Sequence, residues 1–358
     1  MDDDIDGWRQ DIDRSIKATL ASVAAATLPA GAAGHDLTQA ILRASEGGKR
    51  VRSVLLLASH HAHGGPAPRV AVTLGAALEL FHTGALLHDD VLDDADTRRG
   101  QPATHRHFAD HHREKGWEGD AGAFGTAGAI LAGDIALLAS ARALHAATAQ
   151  LGAPTADLVA TLFHDTADLV TAGQFLDMRL AAQPLDQLPG QEGDIRATMR
   201  AKTASYTAEA PLALGAASAG ANEARVAALR SIGVILGLAF QMRDDILGVT
   251  GTPDVTGKPV GDDIREGKRT LLLWHGWTGA TPAQRRVIRK ALGVHDADDA
   301  DVAAAIDAIR AVGAFDAVEA EIAAASAAAS DRLAALDLEK PYGEMLRTIA
   351  ANATHRSN

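Results

Sequence analysis

The sequence has 358 residues and no cysteine, and its acidic residues outnumber its basic ones, giving a formal net charge of −12. The lack of cysteine excludes disulfide bonds, thiolate metal sites and cysteine nucleophiles. The negative charge disfavours general binding to nucleic acid or to anionic lipid, and we expect no nucleic-acid partner. An anionic ligand would have to be captured by a local cluster of basic side chains.

The sequence also lacks obvious targeting and membrane-spanning segments. The N-terminus, Met1-Asp2-Asp3-Asp4-Ile5-Asp6, is acidic, whereas a secretory signal begins with basic and then apolar residues. No uninterrupted apolar run approaches the roughly 20 residues that cross a bilayer. We therefore expect a cytoplasmic protein without stable membrane insertion.

Aromatic residues make up only 4% of the chain and alanine is abundant, which favours closely packed helices. Apolar residues recur at helical spacing, while two-residue alternation is nearly absent, so the sequence predicts an all-α fold. The polar stretch 109–123 is expected to be a surface excursion, and its paired histidines favour a solvated loop over a metal site. The predicted helices span 6–27, 36–63, 68–97, 124–151, 154–181, 194–219, 223–250, 263–279, 282–292, 299–312 and 315–335.

An acidic cluster, Asp89, Asp90 and Asp93, ends one of the apolar helices. Asp89 and Asp93 are four residues apart, which places both on one helical face, about 6 Å apart along the axis. Magnesium is usually bound by one or two carboxylates together with substrate phosphates. The alternative is an acidic helix end in solvent. Here, however, the apolar Leu86 and Leu87 come shortly before the cluster, so like charges accumulate beside a buried segment and favour a bound cation.

Basic pairs lie on both sides of this cluster. Arg98 and Arg99 follow it and are predicted to end the helix, where their guanidinium groups match phosphate geometry. Compensation of the helix dipole is the alternative for this pair. Lys49 and Arg52 are predicted to share one helical face, next to glycines that let the backbone approach an anion. Each pair is a weak signal when taken alone.

A second pair of carboxylates, Asp244 and Asp245, ends another apolar helix and follows Gln241. Lys258 and Asp262 come after it in a glycine-containing stretch. That stretch lacks the residue order of a P-loop, so a nucleotide site is not predicted.

In combination and in this order, the motifs resemble those of the trans-isoprenyl diphosphate synthases, also called polyprenyl synthetases, over nearly the whole chain from about residue 36. The resemblance implies one large helical bundle of the isoprenoid synthase type with a central substrate cavity. It implies an N-terminal helix and linker at 1–35 and a synthase domain at 36–358. The motifs that carry it are Gly-Gly-Lys-Arg-Val-Arg at 47–52, His82, Asp89-Asp90-Val91-Leu92-Asp93, Arg98-Arg99-Gly100-Gln101-Pro102, Gly173-Gln174, Lys202-Thr203, Gln241 with Asp244-Asp245, and Gly257-Lys258 with Asp262.

The resemblance further implies a homodimer that joins isopentenyl diphosphate head-to-tail to an allylic diphosphate, which is dimethylallyl, geranyl or farnesyl diphosphate. It implies three Mg²⁺ ions with substrate bound, for which Mn²⁺ can substitute. Asp89 and Asp93 would hold two of these ions, and Asp244, with Asp262 through water, would hold the third. Asp90 belongs to the same catalytic motif as Asp89.

Substrate-binding residues are also implied by the resemblance. The allylic diphosphate would be bound by Arg98, Lys202 and Lys258. The diphosphate of isopentenyl diphosphate would be bound by Lys49, Arg52, His82 and Arg99. The developing carbocation would face oxygen atoms of Lys202, Thr203 and Gln241.

Two residues depart from the family's pattern: Ser53 stands where proline is common, and Gly248 stands where the second acidic motif usually has a third aspartate. The second departure makes a non-catalytic partner subunit the main rival within the family. A terpene cyclase would need an Asn/Ser/Glu type of metal motif in place of Asp244-Asp245. A head-to-head synthase would not need the isopentenyl site that Lys49 and Arg52 imply.

Product length is predicted from the first acidic helix. Ala85 lies one turn before Asp89 and Phe81 lies two turns before it, about 6 and 12 Å along the axis. Gly84 and Ala85 are small where farnesyl-producing relatives usually carry bulky aromatic residues. Phe81 is then the candidate floor of the cavity, which predicts geranylgeranyl diphosphate. The alternatives are farnesyl or longer products, with Phe81 serving only as core packing.

Overall fold

The computed structural model describes residues 2–251 and 260–354, and the all-α prediction is confirmed. Among the described residues, strands occur in one short hairpin, β1 (Thr97–Arg98) with β2 (Gln101–Pro102). The earlier helices are α1 (Asp2–Thr27), α2 (Ala32–Ser45), α3 (Val51–Ala62), α4 (Pro68–Leu92), α5 (Thr104–Glu114), α6 (Ala121–Thr148) and α7 (Ala153–Ala181). The later ones are α8 (Glu192–Thr198), a π-helix (Met199–Glu209), α9 (Ala210–Ser218), α10 (Glu223–Thr250), α11 (Asp262–Glu266), α12 (Leu271–Gly279), α13 (Pro282–Ala291), α14 (Asp299–Ala311), α15 (Ala314–Ala334) and α16 (Tyr342–Thr354).

The chain divides into two compact units. Unit 1 comprises Met1–Thr161 and Leu214–Glu223. Its central helix is α4, against which α1, α3 and α6 all pack. Glycines bring α4 and α6 close together, because a β-carbon on Gly133 would overlap the ring of His88. The expected domain boundary at residue 35 stays a prediction, and α1 lies within unit 1.

Unit 2 comprises the described residues of Leu162–Ala213 and Ala224–Asn358. Its core contains Trp277, a fully buried aromatic side chain on α12. Helix α8 is joined to α15 by Arg196, whose Nη1 and Nη2 donate to the Glu321 carboxylate at 2.8 and 3.1 Å. This core holds the C-terminal end of α10, which carries the second acidic pair.

The predicted helix 36–63 is wrong in one respect, since it consists of two helices separated by the loop 46–50. Gly47 and Arg50 adopt left-handed conformations, with φ of 73° and 53°, which no helix accommodates. Arg50 is held there because its buried guanidinium donates to Glu79 on α4 at 3.2 Å. A contact between residues far apart in the sequence therefore sets this break.

The predicted helix 68–97 also ends early, at Leu92. Asp94 has a left-handed φ of 50°, and the chain then enters the β1–β2 hairpin. Arg98 and Arg99 therefore lie on the hairpin, and the prediction that they end the helix is wrong. The hairpin turns these side chains back towards α4 and the loop 46–50.

The expected surface excursion at 109–123 is wrong in its first half, because residues up to Glu114 belong to α5. Helix α5 packs along α6, with Phe108 and His112 buried. The ring of His112 contacts Trp117 and Phe124, with centroids 5.9 and 5.2 Å away. A hydrophobic contact between α5 and α6 thus outweighs the polar composition of this stretch.

Three further differences lie in unit 2. The predicted helix 194–219 is α8, the π-helix and α9 in succession. The predicted helix 263–279 is divided into α11 and α12 at Gly267, whose φ is 72°. Helix α16 falls outside the predicted helices, although its Met345, Leu346 and Ala350 are buried.

In the part of the chain that the structure describes, three helices are long and apolar enough to cross a membrane when judged by length and composition: α4, α6 and α10. Their apolar windows are 72%, 28% and 50% buried, respectively. Uninterrupted apolar runs of that length are absent from α6, because Asp134 and Arg142 interrupt it. The low burial of α6 leaves an exposed apolar surface on this helix.

Candidate active site

A cluster of arginines surrounds His82 on α4 in unit 1. Burial lowers the pKa of His82 well below its usual value, and repulsion by Arg52, Arg99, Arg98 and Arg50 lowers it further. The imidazole is therefore neutral at neutral pH, while guanidinium charges reach it from α3, from the loop 46–50 and from the hairpin. Such a concentration of positive charge is suited to a polyanion. The predicted residues Arg52, His82, Arg98 and Arg99 thus lie together.

Lys49 and Arg52 do not share a helical face, contrary to the prediction. Lys49 is exposed in the loop before α3, whereas Arg52 lies in the first turn of that helix. The loop is supported from α1, because Nε of Arg9 donates to the Lys49 carbonyl oxygen at 3.2 Å. Lys49 lies next to Arg50 in the chain, and its place in a diphosphate site stays a prediction.

Arg99 connects the hairpin to the same loop. It has a left-handed φ of 54°, and its Nη1 donates to the carbonyl oxygen of Glu46. Burial lowers the pKa of Arg99, and the charges of Arg50 and Arg98 lower it further. A bound anion would relieve this repulsion.

Arg98 is held by Asp90, the middle carboxylate of the first acidic motif. Nε of Arg98 donates to Oδ1 of Asp90 at 2.8 Å, and Nη2 donates to the same oxygen. The Asp90 side chain is only 5% exposed. Burial opposes the charged form of Arg98, but the hydrogen bond and the charge of Asp90, followed by Asp89 and Asp93, raise its pKa overall. Asp90 therefore positions Arg98 instead of pointing into solvent.

Asp89 and Asp93 keep the spacing expected for a pair of magnesium ligands. The Asp93 N–H donates to the Asp89 carbonyl oxygen at 2.8 Å, which keeps the residues one turn apart although Asp93 already caps α4. Both side chains are partly exposed. Within residues 2–251 and 260–354, no three His, Asp or Glu side chains are grouped to hold a metal ion alone. Two carboxylates that share Mg²⁺ with substrate phosphates fit this donor set.

In unit 2, Lys202 and Thr203 lie on the π-helix, a wider helix that is common at functional sites. Gly173 of α7 packs directly on the backbone at Ala201 and Lys202, where a β-carbon would overlap the Lys202 nitrogen. Nζ of Lys202 donates to Oδ2 of Asp177 at 2.7 Å, one turn after Gly173 on α7. Asp177 was not among the predicted site residues, although the spacing Gly173-x₃-Asp177 is a helical one that could have indicated it.

The second acidic pair on α10 contains two different carboxylates. Asp244 is partly exposed, whereas Asp245 is buried and accepts a hydrogen bond from Nε2 of Gln241 at 2.5 Å. Burial raises the pKa of Asp245 well above its usual value, and the charge of Asp263 adds to this effect. Asp245 therefore fixes the orientation of the predicted site residue Gln241.

The carboxylate of Asp263 occupies the space next to Gly248, where the family's second acidic motif usually has a third aspartate. A β-carbon on Gly248 would overlap the carboxylate of Asp263, which also lies 3.4 Å from Nζ of Lys268. The predicted residue Asp262 is the first residue of α11, adjacent to Asp263. Lys258 lies outside the described residues. The sequence alone does not show that Asp263 lies beside Gly248.

The predicted chain-length residues occupy three different environments on α4. Phe81 is buried, and Ala85 is partly exposed. Gly84 faces α6, since a β-carbon there would lie 2.9 Å from Cδ2 of Leu137. A larger residue at position 84 would therefore press on α6.

The chain is similar to known proteins over most of its length. The sequence profile of the polyprenyl synthetase family matches residues 35–309. A geranylgeranyl diphosphate synthase of Sulfolobus acidocaldarius is 34% identical over 74% of this chain and 74% of that protein. A short chain isoprenyl diphosphate synthase of Methanothermobacter thermautotrophicus is 35% identical over 76% of this chain and 77% of its own length.

A solved structure gives the same result for the fold. The geranylgeranyl pyrophosphate synthase of Corynebacterium glutamicum, complexed with isoprenyl diphosphate and magnesium, aligns with a TM-score of 0.87 at 33% identity. The alignment covers 99% of this chain and 98% of that protein. With acidic pairs ending α4 and α10 and an arginine cluster beside the first pair, this chain belongs to the polyprenyl synthetase family and is a trans-isoprenyl diphosphate synthase.

Proposed function

We propose that the protein joins isopentenyl diphosphate to an allylic diphosphate and that its main product is geranylgeranyl diphosphate. The observation that carries this proposal is the arginine cluster around His82, directly beside the carboxylates of Asp89 and Asp93. Basic side chains alone could bind any polyanion. Basic side chains next to two carboxylates that can hold Mg²⁺ are suited to a diphosphate that acts as a leaving group.

The basic residues divide between two diphosphates in this proposal. Lys49, Arg52, His82 and Arg99 would bind isopentenyl diphosphate, and the neutral imidazole of His82 would donate its single N–H. Arg98 and Lys202 would bind the allylic diphosphate, as would Lys258. Arg98 is suited to this role because its hydrogen bond to Asp90 fixes the position of its guanidinium group.

Metal binding follows the family. Asp89 and Asp93 would hold two Mg²⁺ ions and Asp244 with Asp262 a third, and Mn²⁺ would substitute. Bound Mg²⁺ supplies electrostatic stabilisation of the negative charge that develops on the leaving diphosphate. Asp89 and Asp93 would fix where that charge is neutralised, and Arg98, held by Asp90, would add positive charge beside them.

The remaining residues protect the allylic cation. The π-helix at Lys202 and Thr203 and the amide of Gln241, oriented by Asp245, would direct oxygen atoms towards the developing carbocation. A site that excludes water would leave the double bond of isopentenyl diphosphate as the nucleophile within reach. The released pyrophosphate would then accept the proton that completes the condensation.

Product length would be limited by Phe81. Ala85, one turn before Asp89, is small and partly exposed, and Phe81 is the first large side chain beyond it, whereas Gly84 faces α6. A twenty-carbon product follows if this ring is the floor. A farnesyl or longer product remains the alternative if the floor is built by another helix.

A homodimer is part of the proposal, and α6 is the helix that supports it. Large apolar side chains on this helix are exposed, with Ile130 at 42%, Leu131 at 53% and Leu138 at 64%. These side chains share the surface of α6 with the exposed Asp134, and a partly apolar helix face of this kind is typical of an interface between subunits. We expect this face to be covered by a second copy in the cytoplasm and not by lipid, and sedimentation at micromolar concentration should give a dimer.

The experiment that tests the proposed function measures pyrophosphate release from isopentenyl diphosphate and geranyl diphosphate with Mg²⁺. Activity should be abolished by excess chelator and should fall by about two to three orders of magnitude in Asp89→Asn. Release of pyrophosphate from the allylic substrate alone would indicate a cyclase instead. No release with any primer would indicate a non-catalytic partner subunit.

A further inference from the structure

Directly behind the arginine cluster, unit 1 contains a buried network of charges that the substrate-binding roles leave unexplained. The side chains of Arg50 and Glu79 are only 6% and 4% exposed. Nη1 of Arg50 donates to Oε2 of Glu79 at 3.2 Å, and its Nη2 donates to the Ser45 carbonyl oxygen at 2.6 Å. A buried ion pair with further hydrogen bonds fixes geometry more than it adds stability.

Two further residues complete the network. Asp13 on α1 accepts from Nε and Nη2 of Arg50 at 2.9 and 2.8 Å. The buried hydroxyl of Ser53 donates to Oε1 of Glu79 at 2.8 Å and also lies 2.9 Å from the Gly75 carbonyl oxygen. Proline, which is common at position 53 in the family, could not make these contacts. Each of the three guanidinium nitrogens of Arg50 therefore has a partner, and Glu79 is held on both oxygens.

The network adjoins the proposed isopentenyl diphosphate site. Lys49 and Arg52 lie one and two residues from Arg50, and His82 lies one turn after Glu79 on α4. Arg50 keeps a left-handed φ of 53°, a conformation that is strained in a non-glycine residue. The anchored guanidinium compensates for this strain, and it sets the direction in which the loop 46–50 presents its neighbours.

We infer that Asp13, Arg50, Ser53 and Glu79 are positioning residues for the diphosphate of isopentenyl diphosphate, an inference that rests on the proposed function. Helix α1, which the family resemblance places before the synthase domain, then supports the substrate site indirectly, through Asp13. Ser53 supplies a hydroxyl contact between α3 and α4 that the family's proline lacks.

Asp13→Ala and Ser53→Ala test this role without removing a residue that touches substrate. Asp11→Ala is the matched control, because Asp11 lies on the same helix and pairs with Arg14, away from the loop. We expect the Michaelis constant for isopentenyl diphosphate to rise about three- to tenfold in Asp13→Ala and Ser53→Ala. The constant for geranyl diphosphate should stay unchanged in both, and Asp11→Ala should match the wild type.

A purely structural role would lower the unfolding midpoint of both variants with no selective change in either Michaelis constant, and that result would overturn the inference. A second measurement is independent of turnover: calorimetric binding of inorganic pyrophosphate in excess chelator. If the wild type shows no condensation, the proposed function fails. Weaker pyrophosphate binding in Asp13→Ala and Ser53→Ala than in Asp11→Ala would still support the positioning role, and equal binding in all three would contradict it.

Discussion

Asp89 and Asp90 are adjacent in the sequence, and we expect their asparagine variants to lose different properties. The Asp90 side chain is 5% exposed and accepts two hydrogen bonds from Arg98, whereas the Asp89 side chain is 22% exposed. Asp90→Asn should therefore weaken the fold and the position of Arg98. Asp89→Asn should leave the fold intact and weaken the proposed chemistry.

The magnitude follows from the contact between Asp90 and Arg98. A hydrogen bond to a charged group contributes about 1.5–3 kcal/mol to stability. Asparagine keeps an acceptor oxygen, and the Arg98 side chain, 29% exposed, can be rehydrated in part. We expect Asp90→Asn to lower the free energy of unfolding by about 2 kcal/mol. Asp89→Asn should change it by less than about 0.5 kcal/mol, because it also removes repulsion from neighbouring carboxylates.

Urea denaturation followed by far-UV circular dichroism measures the first quantity, and steady-state kinetics measures the second. Asp90→Asn should raise the Michaelis constant for the allylic diphosphate, since Arg98 loses the carboxylate that orients it. Asp89→Asn should lower turnover at an unchanged urea midpoint. If Asp90→Asn were as stable as the wild type while Asp89→Asn lost about 2 kcal/mol, the roles assigned to these carboxylates would be reversed.

Three further predictions test other parts of the molecule. Gly248→Asp, which restores the family's third aspartate, should lower activity and stability because its side chain displaces Asp263; higher activity would show that the missing carboxylate limits the enzyme. Burial, followed by repulsion from His61, lowers the pKa of His60 from 6.5 to about 4. Protonation of His60 is therefore less favourable in the folded protein than in the unfolded one, and about 3 kcal/mol of stability is lost as the pH falls from 6.5 to 4. His60→Gln should therefore unfold with a weaker pH dependence in that range, whereas His295→Gln, at an exposed site, should behave as the wild type does. Ala85→Phe should shorten the product to fifteen carbons and Phe81→Ala should lengthen it, and unchanged lengths would place the floor elsewhere.

Helical periodicity and the spacing of charged residues in the sequence predict the all-α fold and the pairing of Asp89 with Asp93. These features depend on residues within a few turns of each other. The predicted helix 36–63 is wrong because Arg50 reaches Glu79, 29 residues away, and no local pattern shows that contact. A charged residue inside the apolar helix α4, one turn before His82, is the signal that could have found Glu79.

The different roles of the carboxylates also cannot be predicted from the sequence. Asp90 and Asp245 look like metal ligands in a linear motif, yet one holds Arg98 and the other holds Gln241. Burial makes this distinction, and burial depends on which face of α4 or α10 the core covers. At Gly248 the sequence motif lacks a carboxylate, but the absence of a side chain there makes room for the carboxylate of Asp263.

We propose that this chain builds a twenty-carbon isoprenoid diphosphate. The most direct test incubates the wild-type protein with radiolabelled isopentenyl diphosphate, geranyl or farnesyl diphosphate and Mg²⁺, and separates the dephosphorylated products by chromatography. Label should appear in the all-trans twenty-carbon alcohol, and none should be incorporated in excess chelator. Label only in fifteen-carbon or much longer alcohols would contradict the proposed floor at Phe81, and no incorporation with any primer would contradict the proposed synthase activity.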